Sequence, residues 1–107
     1  MIKNKIPSWV EKELIDCKNN KKNKLELNGG YKEKLLEIPP EICNFTWLTE
    51  LYLSNNQLTT IPIEIGNLLN LTTLYLSNNQ LKTIPIEIGN LSNLTTLNLN
   101  YNKLKTI

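Results

Sequence analysis

The chain contains no histidine, no arginine and no alanine, and Asp16 is its only aspartate. Without histidine there can be no Ser-His-Asp or Cys-His catalytic group and no Cys2His2 zinc site. Without arginine there is no guanidinium group to bind phosphate, carboxylate or guanine through two parallel hydrogen bonds. We therefore expect a protein that is not an enzyme, with no catalytic residues, no cofactor and no metal site.

Charge is low and unevenly distributed. The 107 residues carry 12 lysines and 10 acidic residues, a net charge of +2 that is too small to favour nucleic acid as a partner. Residues 48–107 carry three charges of each sign, so long-range steering of a charged ligand is not expected there. Lys21, Lys22 and Lys24 either bind a phosphate or an acidic partner or, as is usual for lysine runs, are simply solvated.

The sequence also has little that points to a membrane or to secretion. No stretch approaches about 18 apolar residues, and the first residues lack the apolar core of a signal peptide. Cys17 and Cys43 are too few for a disulfide framework, so we expect buried, reduced thiols; a redox pair is the alternative. These features predict a cytoplasmic protein. Abundant lysine, asparagine and isoleucine without arginine or alanine favour an AT-rich genome, such as that of a virus or host-associated bacterium; the location would then be the host cytoplasm.

What the sequence does contain is a repeat. Residues 48–70 and 71–93 differ at only three of 23 positions, and residues 94–107 begin another copy. A degenerate copy, 25–47, precedes them, with three extra residues in the segment Gly29–Lys34. We therefore divide the chain into an N-terminal cap and linker, 1–24, and repeats, 25–107.

Each copy follows the pattern L-x-x-L-x-L-x-x-N-x-L. It stands at Leu48/Leu51/Leu53/Asn56/Leu58, Leu71/Leu74/Leu76/Asn79/Leu81 and Leu94/Leu97/Leu99/Asn102/Leu104. This pattern, with I-P-x-E-I-G-N-L after it, resembles the leucine-rich repeat family. It is most similar to the 23-residue subclass of Ras-group-related intracellular proteins and of cytosolic proteins of plants and bacteria. The resemblance implies an α/β fold: a short solenoid, a segment of a right-handed horseshoe, with a parallel concave sheet and an N-terminal helical cap.

The residues support the same architecture on physical grounds. Leu51 and Leu53 alternate with Tyr52, the period of a half-buried strand, and only stacked copies can bury such a leucine face. A buried asparagine where each strand ends must spend its amide on backbone groups. We expect a structural asparagine ladder of Asn56, Asn79 and Asn102. The prolines after it predict a convex side of short 3₁₀ or irregular backbone.

The segment before the repeats predicts a helix over residues 8–17. Ser8-Trp9-Val10-Glu11 has the form of a capping box with Ser8 as the N-cap. Val10, Leu14 and Cys17 then share one helical face, which we expect to cover the N-terminal end of the core. Residues 18–24 are expected to be a polar link.

The resemblance implies that the concave face binds the partner. Its Tyr, Ser and Asn side chains combine rigid contact area with adaptable hydrogen bonding. We therefore expect a protein–protein interaction module that binds a protein or peptide. Alternatively, Tyr52 and Tyr75 serve as a cross-strand pair that stabilises the sheet. The expected contact residues are Glu50, Tyr52, Ser54, Asn55, Thr73, Tyr75, Ser77, Asn78, Thr96, Asn98, Asn100 and Tyr101.

Four large apolar residues are further candidate contacts. Trp9 is expected to pack on the first repeat, and Trp47 either packs there or is an exposed contact. Ile63 and Ile86 either form an exposed stripe or stack on each other.

The last repeat is expected to present a self-association edge, because an open parallel edge is a template for pairing. The alternative function is therefore self-assembly, in which two copies form a homodimer through this edge. A further alternative is that the chain is a fragment of a longer solenoid. The edge residues are Leu97, Leu99, Leu104 and Ile107.

Overall fold

The structure is a computed structural model that describes residues 6–105. It contains one helix and a four-stranded parallel sheet whose strands lie side by side in chain order. A short 3₁₀ helix follows each of the first three strands on the opposite side of the core. This arrangement confirms the predicted short α/β solenoid. The elements are α1 (Ser8–Asn20), β1 (Lys24–Glu26), η1 (Pro40–Asn44), β2 (Glu50–Tyr52), η2 (Ile63–Asn67), β3 (Thr73–Tyr75), η3 (Ile86–Asn90) and β4 (Thr96–Asn98).

The register of the sheet stacks one leucine from each copy. Leu25, Leu51, Leu74 and Leu97 are partners on adjacent strands. The middle two are fully buried, and each such side chain contributes roughly 1.5–3 kcal/mol of burial free energy before entropy is counted. Leu97, in contrast, is 39% exposed, since no strand within residues 6–105 lies on the other side of β4. Leu25 is also buried, at 2% exposed, so burial along this row is lost only at its C-terminal end.

The asparagine ladder holds adjacent repeats together at the turns that follow the strands. The Asn79 side-chain amide donates to the carbonyls of Leu53, in the preceding repeat, and Leu76, in its own, at 3.0 and 3.1 Å. Its Oδ1 accepts from the backbone N–H of Leu58 at 3.0 Å. Asn56 and Asn102 make the equivalent bonds. Each of these amides satisfies backbone groups that the turns would otherwise leave unpaired.

The side opposite the sheet is built from the 3₁₀ helices, as the prolines predict. Pro62 and Pro85 stand immediately before η2 and η3, with φ of −68° at both. Ile65 and Leu68 are fully buried beneath η2, whereas Ile88 beneath η3 is only half-buried. On this side of the solenoid, as in the sheet, side chains become less buried toward the C-terminal end.

Helix α1 covers the N-terminal end of the core and begins at the predicted residue, Ser8, but it ends later than the sequence predicted. Val10, Leu14 and Cys17 are its buried residues, yet the helix continues to Asn20. The prediction that Ser8 is the N-cap was wrong: Pro7 is the N-cap, and no side chain caps the helix. The Pro7 carbonyl instead accepts from the N–H groups of Val10 and Glu11. Within residues 6–105, no helix is both long enough and apolar enough to cross a membrane.

Candidate functional site

The outer face of the sheet carries a pair of tyrosines. Tyr52 and Tyr75 are partners on β2 and β3, with ring centroids 5.0 Å apart and planes at 79°. An edge-to-face pair of this kind is worth about 0.5–1.5 kcal/mol beyond area burial. Both rings stay half-exposed, so the pair stiffens the sheet and still offers aromatic surface to a partner.

Charged groups surround Tyr52 at the N-terminal end of this face. Its hydroxyl donates to Oε1 of Glu50 at 2.6 Å, and Nζ of Lys24 lies 5.2 Å from the ring centroid. The hydrogen bond to Glu50, followed by burial and the negative charge of Glu50, raises the pKa of Tyr52 to about 12. The hydrogen bond to Glu50 also holds the phenol in place as a contact group.

The other expected contact residues differ in exposure. Ser54 is only 5% exposed, which contradicts the outward, exposed position expected for it. Its hydroxyl instead accepts a hydrogen bond from Ser77 at 2.9 Å, and its N–H donates to Asn28, a residue that the sequence analysis overlooked. Of the remaining positions, Thr96 and Asn100 are exposed, and Glu50, Thr73, Ser77 and Asn98 are half-buried.

Three expected contact residues lie at the ends of the strands. Asn55, Asn78 and Tyr101 occupy equivalent places in successive repeats, and each has a left-handed backbone with φ between 55° and 59°. Asparagine adopts this conformation readily, whereas a tyrosine there is an outlier. All three are exposed and line a groove with Tyr31, Gln57 and Gln80, which the sequence analysis missed. The triplet Asn-Asn-Gln, which two repeats share, is the sequence feature that could have indicated the two glutamines as groove residues.

The two tryptophans pack at the N-terminal end. The Trp9 indole N–H donates to the backbone carbonyl of Glu33 at 2.9 Å, which joins α1 to the first repeat. Trp47 stacks on Phe45 with centroids 5.0 Å apart, and Nζ of Lys21 lies 4.0 Å from its centroid. Trp47 is half-buried, so it is mainly a packing residue.

The lysine run is largely used within the chain. Lys22 forms an ion pair with Asp16 at 2.5 Å, and this partner raises the pKa of the lysine and lowers that of the aspartate. Lys21 and Lys24 lie over the rings of Trp47 and Tyr52. The three ammonium groups therefore contact three separate partners and do not converge on one anion-binding site.

Cys17 and Cys43 are buried free thiols, so the redox-pair alternative finds no support. Burial raises the pKa of Cys17, and burial together with the charge of Glu64 raises that of Cys43 to about 11. Since the thiolate is the reactive form, both cysteines are in environments that suppress their chemistry.

We expect neither cysteine to react with a small thiol reagent in the folded protein at pH 8. The raised pKa keeps the thiols protonated there, and burial blocks access. Mass spectrometry after a pulse of iodoacetamide measures this directly, with the urea-unfolded chain as the control. Rapid labelling of Cys43 without urea would show that the thiol is accessible.

Apolar side chains are exposed at two other places. Ile63 and Ile86, at equivalent positions of η2 and η3, are 58% and 87% exposed. At the C-terminal end of the solenoid, Leu97 is exposed, and Leu99 and Leu104 are half-buried. Ile107, the fourth residue of the predicted self-association edge, lies outside the described residues.

A solenoid with one short parallel strand per 23 residues, an asparagine ladder at the turns and 3₁₀ segments opposite defines a class of repeat scaffold. The family model for leucine-rich repeats in two copies matches residues 46–86 and 69–107. The chain belongs to the leucine-rich repeat family. Domains of this family generally mediate protein–protein interactions and are typically non-enzymatic. The comparison with curated proteins gives no match.

Solved structures agree with this assignment. The Leptospira interrogans LRR protein LIC12759 is 40% identical, with a TM-score of 0.72 over 78% of this chain. The Arabidopsis thaliana BIR3–SERK2 complex is similar over 77% of the chain (35% identity, TM-score 0.67), and the Arabidopsis BIR2 ectodomain over 78% (33%, 0.68). The chain spans 21% of the Leptospira protein and 44% of each Arabidopsis chain. The assignment to the 23-residue subclass stays a prediction.

Proposed function

We propose that the outer sheet face binds a protein or peptide, with Tyr52 and Tyr75 at the centre of the contact. The observation that carries this proposal is the half-exposed tyrosine pair, held by its own edge contact and by the hydrogen bond to Glu50. Because the rings are fixed before binding, little side-chain entropy is lost on association. Tyrosine is also among the residues most often found at the energetic centre of an interface.

The surroundings of the pair support a contact based on shape and hydrogen bonds. Thr73, Thr96 and Asn98 extend the face toward β4 with neutral polar side chains. One structural neighbour is a component of the BIR3–SERK2 complex, which is consistent with binding between proteins. We also propose a cytoplasmic location, supported by the two buried thiols that form no disulfide.

The test compares partner capture by the chain and by the double variant Tyr52→Ala/Tyr75→Ala. A partner identified by crosslinking to the unaltered chain is expected to bind the double variant at least about tenfold more weakly. The matched control is Lys82→Ala, an exposed position outside the strands, which should leave the affinity unchanged. Equal affinity for the double variant and the unaltered chain would move the binding surface elsewhere.

A second proposal is homodimerisation through the self-association edge. Leu97 is 39% exposed, whereas its counterparts Leu51 and Leu74 are fully buried, so the 107-residue chain presents core surface on β4. In a longer chain a further repeat would cover the same residues. Sedimentation velocity at increasing concentration is expected to detect a dimer. A variant with a polar capping repeat after Ile107 should stay monomeric, and a monomeric unaltered chain would refute the proposal.

A further inference from the structure

A second candidate site lies beyond the ends of the strands, apart from the tyrosine pair. It is an open groove of about 650 Å³ that crosses the turns of successive repeats. From the first repeat to the fourth it extends for about three strand spacings, or roughly 14 Å. We call it the amide groove. The side chains that define it are Tyr31, Asn55, Gln57, Asn78, Gln80 and Tyr101.

The four amide side chains of this groove have no other task among the described residues. The side-chain amides of Asn56 and Asn79 form the hydrogen bonds of the ladder. The side chains next to them make no hydrogen bond within residues 6–105; these are Asn55, Gln57, Asn78 and Gln80. Each of these primary amides offers two N–H donors and a carbonyl acceptor to solvent. The groove therefore presents a regular row of unused groups that can both donate and accept.

The two tyrosines come from departures from the repeat. Tyr31 is carried by the three-residue insertion in the first copy, where the Lys34 ammonium donates to the Gly30 carbonyl and steadies the loop. Tyr101 stands where the two preceding repeats have asparagine, and it keeps a φ of 59° that disfavours a large side chain. Both rings are exposed, at opposite ends of one groove. Strained backbone positions cluster at binding and active sites, so the conformation of Tyr101 supports a role for this residue in the groove.

The chemistry of the groove excludes several ligand classes. Four backbone N–H groups along it are already bonded: those of Asn55 and Asn78 donate to the next repeat, and those of Gln57 and Gln80 to the preceding one. These four N–H groups are not free to pair with an added peptide strand, and no aliphatic side chain lines the groove to anchor peptide side chains. Lys34 is the only charged residue among those that line it. A strongly charged ligand has little to bind there.

We propose that the amide groove binds a neutral oligosaccharide. Sugar hydroxyls both donate and accept hydrogen bonds, which matches the primary amides of Asn55, Gln57, Asn78 and Gln80. The apolar C–H face of a pyranose ring packs on an exposed aromatic ring, the role we assign to Tyr31 and Tyr101. A chain of several sugar rings fits the length of the groove better than a single sugar. This site is separate from the tyrosine pair and does not depend on the function proposed for that pair.

Nuclear magnetic resonance titration of the 107-residue chain with cellotetraose, mannotetraose and chitotetraose tests the proposal. At least one tetrasaccharide is expected to bind in the millimolar range or tighter and to shift the side-chain NH2 signals of Asn55, Gln57, Asn78 and Gln80. The variants Tyr31→Ala and Tyr101→Asn should each weaken this binding by roughly three- to tenfold. A Gly-Ser peptide of similar length is the comparison ligand.

Two controls separate a binding role from a structural one. Tyr101→Asn restores the residue of the other repeats, so it should raise the urea midpoint while it weakens saccharide binding. Tyr75→Ala, on the sheet face, should leave saccharide binding unchanged. The proposal is wrong if none of the three saccharides binds at millimolar concentration, if the shifts fall on the strands instead of the groove, or if only the peptide binds.

Discussion

Replacing Gly29 with alanine is expected to destabilise the protein by about 3 kcal/mol or more, because no space exists for the added carbon. An ideal Cβ on Gly29 would lie 1.9 Å from the Asn55 carbonyl oxygen and 2.9 Å from Oδ1 of Asn56. The first contact is with backbone, so the loop must move away from the second repeat. The movement would also disturb the bond from the Gly29 N–H to Ser54, which is 2.9 Å long.

Urea unfolding followed by tryptophan fluorescence measures this effect, and Gly89→Ala is the matched control. A Cβ at Gly89 meets nothing within 4 Å, and its backbone lies outside the left-handed region. Alanine there should change stability by less than about 1 kcal/mol, with a small gain from the less flexible unfolded chain. Equal midpoints for the two variants would show that the first turn can open without cost.

The second large effect is expected at the asparagine ladder. Asn79→Ala removes four side-chain hydrogen bonds at once. The N–H of Leu58 loses its side-chain acceptor, whereas the carbonyls of Leu53 and Leu76 each keep one amide donor, from Asn56 and Asn102. Asn79 is only 7% exposed, so water replaces these bonds poorly. We expect a loss of about 1–3 kcal/mol, which is the cost of leaving one buried polar group, here the N–H of Leu58, without a partner.

The chain supplies controls for this variant. Gln80 is adjacent and exposed, and its side chain makes no hydrogen bond within the described residues; Gln80→Ala should stay within about 0.5 kcal/mol of the unaltered chain. Asn102→Ala should fall between the two, because Asn102 makes the same bonds in a half-exposed position. A loss at Asn79 no larger than at Gln80 would show that water or a rearranged turn fully replaces the amide.

The repeat made much of the fold predictable from the sequence. The 23-residue spacing of Leu51 and Leu74 fixes which residues become partners, and the structure pairs them. Asparagine at the end of each strand predicts a buried amide that bonds to backbone, which the bonds of Asn79 illustrate. These predictions succeed because copies with nearly the same sequence adopt the same local structure and pack on one another in the same way.

Other features could not be predicted because they depend on contacts between copies. Ser54 and Ser77 occupy equivalent positions, yet Ser54 is buried and Ser77 only half-buried. The N–H of Ser54 also bonds to the Asn28 side chain, which belongs to the atypical first repeat. The cap of α1 also depends on its surroundings: Ser8 has the right residue type, but Pro7 precedes the helix and supplies the carbonyl. The amide groove was predicted only in part: Asn55, Asn78 and Tyr101 were expected contacts, whereas Gln57 and Gln80 were missed because they alternate along the chain with buried residues.

The decline in burial along the solenoid has a consequence for the order in which the molecule opens. A repeat protein is held together mainly by neighbour-to-neighbour interfaces, so its two ends can exchange amide hydrogens before its middle does. One end here is closed by α1, whose Leu14 and Cys17 are buried, whereas Leu97 on β4 is uncovered. Opening should therefore begin at β4 and travel backward, and refolding should start from the helix and the first repeats. The tyrosine pair would survive the first steps of this process, and Tyr101 would be lost in them.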